Sequence, residues 1–406
     1  MNDIAEVTCE DLRAEVGAWL SVNWNAETRR SRSNPEAGTK GWLQAVFEAR
    51  WAVPRWPVEW YGRGLDNEKA KVIEQAFAAV GAPGTGQDRS HLSANTLLTY
   101  GQDALKRELL PKFLTGKISN CLLYSEPGAG SDLASLRCRA ERQGDNYVIN
   151  GQKVWTSGAR TADYGLLIAR TNWDVPKHKG ISFFYIPMQQ PGIDIRPLHQ
   201  ITGDSHFNEV FLDNALVPAG NLLGAEGDGW KVLQTALAYE RLVMGEGAGE
   251  RRQGSSKDNR VSLIDMARRA GCLGNPLIRQ DIARAMAYRQ LNSLNIARAK
   301  ADMAQGTSSP IMSLGKLAMS RILHEDARVM TAILGTASML DGPENPQSAD
   351  VNYRTLNAYM TSIGGGTDQI QRNIISERVL GLPREIEVDR DVPFRESVAV
   401  KGIAGR

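Results

Sequence analysis

The spacing of apolar residues changes character twice along the 406-residue chain. From Glu10 to about Gly116 it follows three- and four-residue steps, the period of helices with one buried face. Turn clusters such as residues 81–86 separate these segments, and the aromatic, Pro-containing stretch from Trp51 to Trp60 interrupts them as a packed surface crossing. From Cys121 to about Leu223 the apolar runs become short and branched, with Gly, Pro, Asn and Asp between them. They include Leu122 to Tyr124, Tyr164 to Ala169, Ile181 to Ile186 and Glu209 to Leu212. This pattern predicts a compact β domain in which two strands meet at the hairpin signal Asn150-Gly151. Helical spacing returns from Gly229, broken by the polar stretch 245–259 and the Pro-containing loop 341–346.

Composition narrows the function classes. A hydrophobic fraction of 42% in a chain of this length predicts a folded protein of two or three structural units. The formal net charge of +2 supplies no basic field for nucleic acid. Cys9, Cys121, Cys138 and Cys272 lie far apart and the five histidines stand singly, so neither a metal site nor a disulfide framework is expected. The acidic start at residues 1–6 lacks the plan of a signal peptide, and no apolar run reaches membrane-spanning length. A cytoplasmic enzyme is the expectation.

The chemistry concentrates in two long motifs. Residues 125–132 read Ser-Glu-Pro-Gly-Ala-Gly-Ser-Asp, directly after an apolar run, and residues 150–157 read Asn-Gly-Gln-Lys-Val-Trp-Thr-Ser. The Gly128-Ala129-Gly130 run alone is weak evidence, because short Gly motifs mark ordinary turns. Both motifs together, in this order, resemble the middle domain of the acyl-CoA dehydrogenase family. The resemblance covers nearly the whole chain and is strongest over residues 110–241 and 363–384. It implies an α+β fold: an N-terminal helical domain (1–118), a middle β-barrel domain (119–226) and a C-terminal helical domain (227–406) containing a four-helix bundle.

The resemblance also implies FAD as cofactor. Leu122, Tyr124 and Ser125 would line it, Trp155 would pack on a face of its ring, and Ser157 would bond near N5. A buried flavin ring needs a flat apolar wall and a few directional partners at its edge, which adjacent strand residues can supply. Read alone, Trp155 and Ser157 point to a core tryptophan and a turn residue, and motif context reverses that. A second element, Gly364-Gly365-Gly366-Thr367-Asp368-Gln369, places glycines before a helix start. The family uses Thr367 and Gln369 of that segment beside the flavin. Its Arg-x-x-Phe-Gly signature is replaced here by the stretch from Leu263 to Arg269, and its paired-Gly turn by the stretch from Leu334 to Ala337.

Removing an α proton from an acyl thioester requires a base. Many family members carry that carboxylate at the position of Gly365, which has no side chain. Trp230, Leu233, Leu237, Glu240 and Met244 recur at helical steps, placing Glu240 within an apolar stripe. Burial would raise its pKa and neighbouring Arg241 would oppose the rise; a structural Glu–Arg pair has the same spacing. The segment 237–243 resembles the helix from which isovaleryl-CoA and long-chain acyl-CoA dehydrogenases supply their base, which selects Glu240. Glu126 and Asp132 are rival carboxylates in the Gly-rich loop.

The resemblance further implies that Gly365 N–H stabilises the thioester oxygen and that Ser131, Arg241 and Gly364 contact substrate. It implies an electron-transfer flavoprotein as electron acceptor, and a homodimer, homotetramer or heterotetramer as the assembly. Two other readings stay open: a flavin oxidase or monooxygenase of the same fold, and a non-catalytic partner subunit.

Overall fold

The computed structural model describes residues 7–31, 38–247, 262–304, 314–387 and 389–397. Helices come first: α1 (Cys9–Asn23), α2 (Ala26–Ser31), α3 (Gly38–Glu48), α4 (Asn67–Ala79), α5 (Gln87–Ser90), α6 (Leu92–Tyr100) and α7 (Asp103–Leu114). Their starts have local causes. Thr8 caps α1 through a reciprocal box with Asp11, and Asp66 caps α4 by accepting from Lys69 N. Leu12, Val16 and Leu20 of α1 and Ala70, Ile73 and Phe77 of α4 form the buried stripes, and the two helices pack on one another. The stretch Trp51 to Trp60 differs from its expectation. It passes through this core, with Trp51, Trp56 and Trp60 buried. Trp51 lies edge-on to Trp19 at 6.3 Å, because large rings stabilise most when fully surrounded.

The strands follow: β1 (Asn120–Leu123), β2 (Arg139–Gln143), β3 (Asn146–Ser157), β4 (Tyr164–Arg170), β5 (Ile181–Pro187), β6 (Ile193–Leu198), β7 (Phe207–Pro218) and β8 (Leu222–Leu223). They join one sheet in the order β6-β7-β3-β2-β4-β5-β8, with β1 parallel to β4. Asn150-Gly151 is not the expected hairpin turn. The β2–β3 turn lies at Gly144-Asp145, and β3 runs on through Gly151 with a bulge against β7. The glycine is required there, because a Cβ at Gly151 would come within 2.8 Å of Cys138 Cα.

The last helices are α8 (Gly229–Gly247), α9 (Leu263–Arg269), α10 (Pro276–Ala304), α11 (Leu314–Leu334), α12 (Pro346–Ile363) and α13 (Asp368–Ile374). The chain forms two compact units. One contains the N-terminal helices, the sheet, α8 as far as Val243 and the segment from Asp389; the other contains His199–Asp204 and Met244–Val388. In the second unit α11 packs against both α10 and α12. Ser262 caps α9, and Leu263, Met266 and Ala267 turn inward as core. Among the described residues no helix is long and apolar enough to cross a membrane.

Candidate active site

The two motifs of the β domain are bonded to each other. Val154 N donates to Ser125 O at 2.9 Å, joining β3 to the chain just beyond β1. Beneath that bond lies Lys153, whose side chain is fully buried. Its Nζ donates to Tyr124 O at 3.1 Å and to Glu126 Oε1 at 2.8 Å. Glu126 also accepts from Cys138 N at 2.9 Å and Arg137 N at 2.7 Å. Every carboxylate oxygen of Glu126 is therefore engaged, as a buried charge requires. Asp132 is held by Ser135 Oγ and by Lys177 Nζ at 3.1 and 3.2 Å. Both rival carboxylates fasten the loop, Glu126 from a buried position and Asp132 from an exposed one.

Above this brace the surface is open. Between Lys153 and Thr156 the β3–β7 register slips, and Trp155 sits in the slip with φ 62°. A bulge re-aims its residue, and here it leaves the indole 59% exposed, held edge-on by Phe207 at 5.9 Å. A left-handed backbone costs a non-glycine residue about 1 kcal/mol, a strain common at functional sites. Ser157, two residues on, is exposed on the same strand; Ser125 and Leu122 are half-buried, and Tyr124 is buried against Phe183. An uncovered aromatic face with hydroxyls beside it fits the faces and polar edge of a flavin ring. Ser131 is exposed at the end of the Gly-rich turn.

The second element lies in the other unit. Thr367 caps α13, its Oγ1 accepting from Ile370 N at 3.1 Å. Asp368 Oδ1 accepts from Lys316 Nζ at 3.0 Å and Ser320 Oγ at 2.8 Å. The first turn of α13 thus carries its own carboxylate. Gly364, Gly365, Gly366 and Gln369 are exposed, and Gly365 and Gly366 hold φ of 66° and 87°. The backbone here uses conformations that glycine adopts freely.

Glu240 and Arg241 belong to α8, whose Val232, Leu233 and Ala236 are buried. The side chains of both lie outside the described residues, as does Met244. Sequence reasoning missed Lys153 and Arg170, both fully buried. Each left one trace, a cation at an otherwise apolar strand position.

Helices, then a sheet braced under an exposed tryptophan, then helices define an acyl-CoA dehydrogenase. The N-terminal, middle and C-terminal domain models of that family match residues 8–117, 121–215 and 227–380. The chain belongs to the acyl-CoA dehydrogenase family, FAD-dependent oxidoreductases acting on CH–CH groups. It is 34% identical to acyl-CoA dehydrogenase IpdE1 of Mycolicibacterium smegmatis over 402 residues, spanning 94% of this chain and 100% of that protein. Among solved structures, the Tcur3481-Tcur3483 steroid ACAD is 28% identical with a TM-score of 0.68, covering 94% of this chain and 100% of that one. The ChsE4-ChsE5 complex of Mycobacterium tuberculosis is 29% identical with a TM-score of 0.63, covering 93% and 98%.

Proposed function

We propose that this protein uses FAD to dehydrogenate an acyl-CoA thioester to the trans-2-enoyl-CoA, with Glu240 as the base for the α proton. The observation that carries the flavin assignment is the exposed Trp155, held outward in a bulge beside Ser157. FAD held there would supply the acceptor for the hydride that leaves the β carbon. Trp155 would cover a face of its ring, Leu122, Tyr124 and Ser125 would line it, Ser157 would bond at its edge near N5, and Thr367 and Gln369 would help hold it. Glu240 Oε takes the α proton, Arg241 favours the Glu240 carboxylate and contacts substrate, and Gly365 N–H stabilises the oxyanion character of the thioester. Ser131 and Gly364 hold the substrate. The burial of Glu126, bonded at both oxygens in the Lys153 brace, supports Glu240 over it. The same reading divides the chain at 118/119 and 226/227, supported by the changes from α7 to β1 and from β8 to α8.

The acyl group is bulky and ring-bearing in this reading, since three exposed glycines at 364–366 remove side-chain volume and one similar structure is a steroid enzyme. Electrons pass to an electron-transfer flavoprotein. The likeness to a two-protein complex favours a second reading, in which this chain is one subunit of a heterotetramer. Anaerobic titration of the purified protein with butyryl-, palmitoyl-, isobutyryl- and cyclic acyl-CoAs tests the proposal. Bleaching of bound FAD, fastest with the bulky thioesters, is expected. A folded protein that takes up no FAD alone or with a partner chain sinks it, and peroxide as the product would assign an oxidase instead.

A further inference from the structure

Past the Gly-rich turn the chain runs through Ala134 to Leu136 with few strand bonds, and a buried cation gathers its carbonyls. Arg170, at the end of β4, donates from Nη2 to Ala134 O at 2.6 Å, from Nε to Leu136 O at 3.1 Å and from Nη1 to Lys177 O at 3.0 Å. Lys177 in turn holds Asp132, the neighbour of Ser131. No described carboxylate pairs with the Arg170 guanidinium in the structure. Burial pulls it down to about 10, with Glu126 and Asp132 opposing from a distance.

The open face of that guanidinium is covered from far along the sequence. Phe394, fully buried, places its ring 3.5 Å from Arg170 Cζ. The segment is sewn in place by Phe394 N to Val175 O at 2.9 Å, Arg395 N to Trp173 O at 3.1 Å, and Arg395 Nε to Asp174 Oδ1 at 2.5 Å. It lies beyond residue 380, where the match to the family's C-terminal domain ends. A desolvated cation over an aromatic face is held by the ring quadrupole, and water admitted there would compete for the donors that grip the loop.

We propose that Phe394 is a positioning residue for the substrate loop: the 389–397 strap seals Arg170, and through Arg170 and Lys177 it fixes the Ser131-Asp132 turn. The inference rests on the proposed role of Ser131 in binding the acyl-CoA. The Lys153–Glu126 brace is held by hydrogen bonds to Tyr124, Arg137 and Cys138, none of them in the strap, so FAD content serves as the control.

The test compares the full chain with Phe394→Ala, Phe394→Leu and a chain ending at Glu387. Phe394→Ala and the shortened chain should raise KM for acyl-CoA about tenfold, with kcat changed less than about twofold and FAD content intact. Independently of turnover, the amides of Ser135 and Leu136 should exchange with solvent at least about tenfold faster while those of β5 stay protected. Phe394→Leu, which keeps apolar bulk without the π face, should fall between. Unchanged exchange at Ser135 and Leu136 overturns the proposal, as does loss of FAD with KM unaltered. If wild type reduces its flavin with no acyl-CoA, the proposed function fails while the exchange measurement still decides the strap.

Discussion

The ammonium of Lys153 lies 2.8 Å from the carboxylate of Glu126, one residue from each of the two β-domain motifs, with side chains 0% and 8% exposed. Removing one member of a buried pair strands the other, at about 3–5 kcal/mol. Lys153→Met should fall near the lower end, since Glu126 keeps two backbone donors, and Glu126→Gln should cost about 1–2 kcal/mol. Denaturant unfolding of both and of the double variant measures their coupling. Strictly additive losses would mean that the pair does not act as a unit.

Trp155→Ala should release FAD while changing the stability of the flavin-free protein by less than about 0.5 kcal/mol, because the ring is largely exposed. Flavin absorbance after gel filtration and apoprotein melting are the measurements. A large fall in apoprotein stability would return Trp155 to the role of a core side chain.

Glu240→Gln should fold, retain FAD and reduce it several orders of magnitude more slowly, as expected when a general base is lost. Stopped-flow bleaching checks this, and near-wild-type rates would remove Glu240 from the mechanism. Gly365→Glu forces a side chain onto a φ of 66°, costing about 1 kcal/mol. It should narrow the acceptance of bulky thioesters even where it partly rescues Glu240→Gln.

His91 titrates against the fold. Burial, the main cause, holds its pKa below the ordinary histidine value despite backbone contacts that favour the charged form, while its Nδ1 accepts from Ala94 N at the start of α6. With the folded pKa depressed below about 6.5, the stabilisation is complete above that pH and is lost as pH falls through the folded value. Melting temperature should therefore drop between pH 7 and pH 5, and less steeply in His91→Asn, which keeps a capping oxygen without the titration. Equal slopes for the two proteins would exclude His91 as the cause.

The helical and β regions were legible because their apolar periods differ and each buries one face. The hairpin at Asn150-Gly151 was misplaced because a bulge and a tight turn use the same dipeptide. Only the approach of Cys138, 13 positions away, selects the bulge. Motif context singled out Trp155, yet its exposure depends on a register slip against β7 that no local pattern encodes. Lys153 and Arg170 escaped notice for a related reason. Their partners at Glu126, Ala134 and Phe394 are distant in the chain, and the burial of a cation is legible only once those partners are assembled.

The clasp of Phe394 on Arg170 also gives the β domain a timetable. Translation at about 5–20 residues per second separates the two by roughly 10–45 seconds, during which the whole second unit is synthesised. Throughout that interval the sheet carries a bare guanidinium where the finished protein has a sealed one. A nascent chain can assemble its strands early, but its Ser131-Asp132 turn acquires its final support only after nearly everything else has been made.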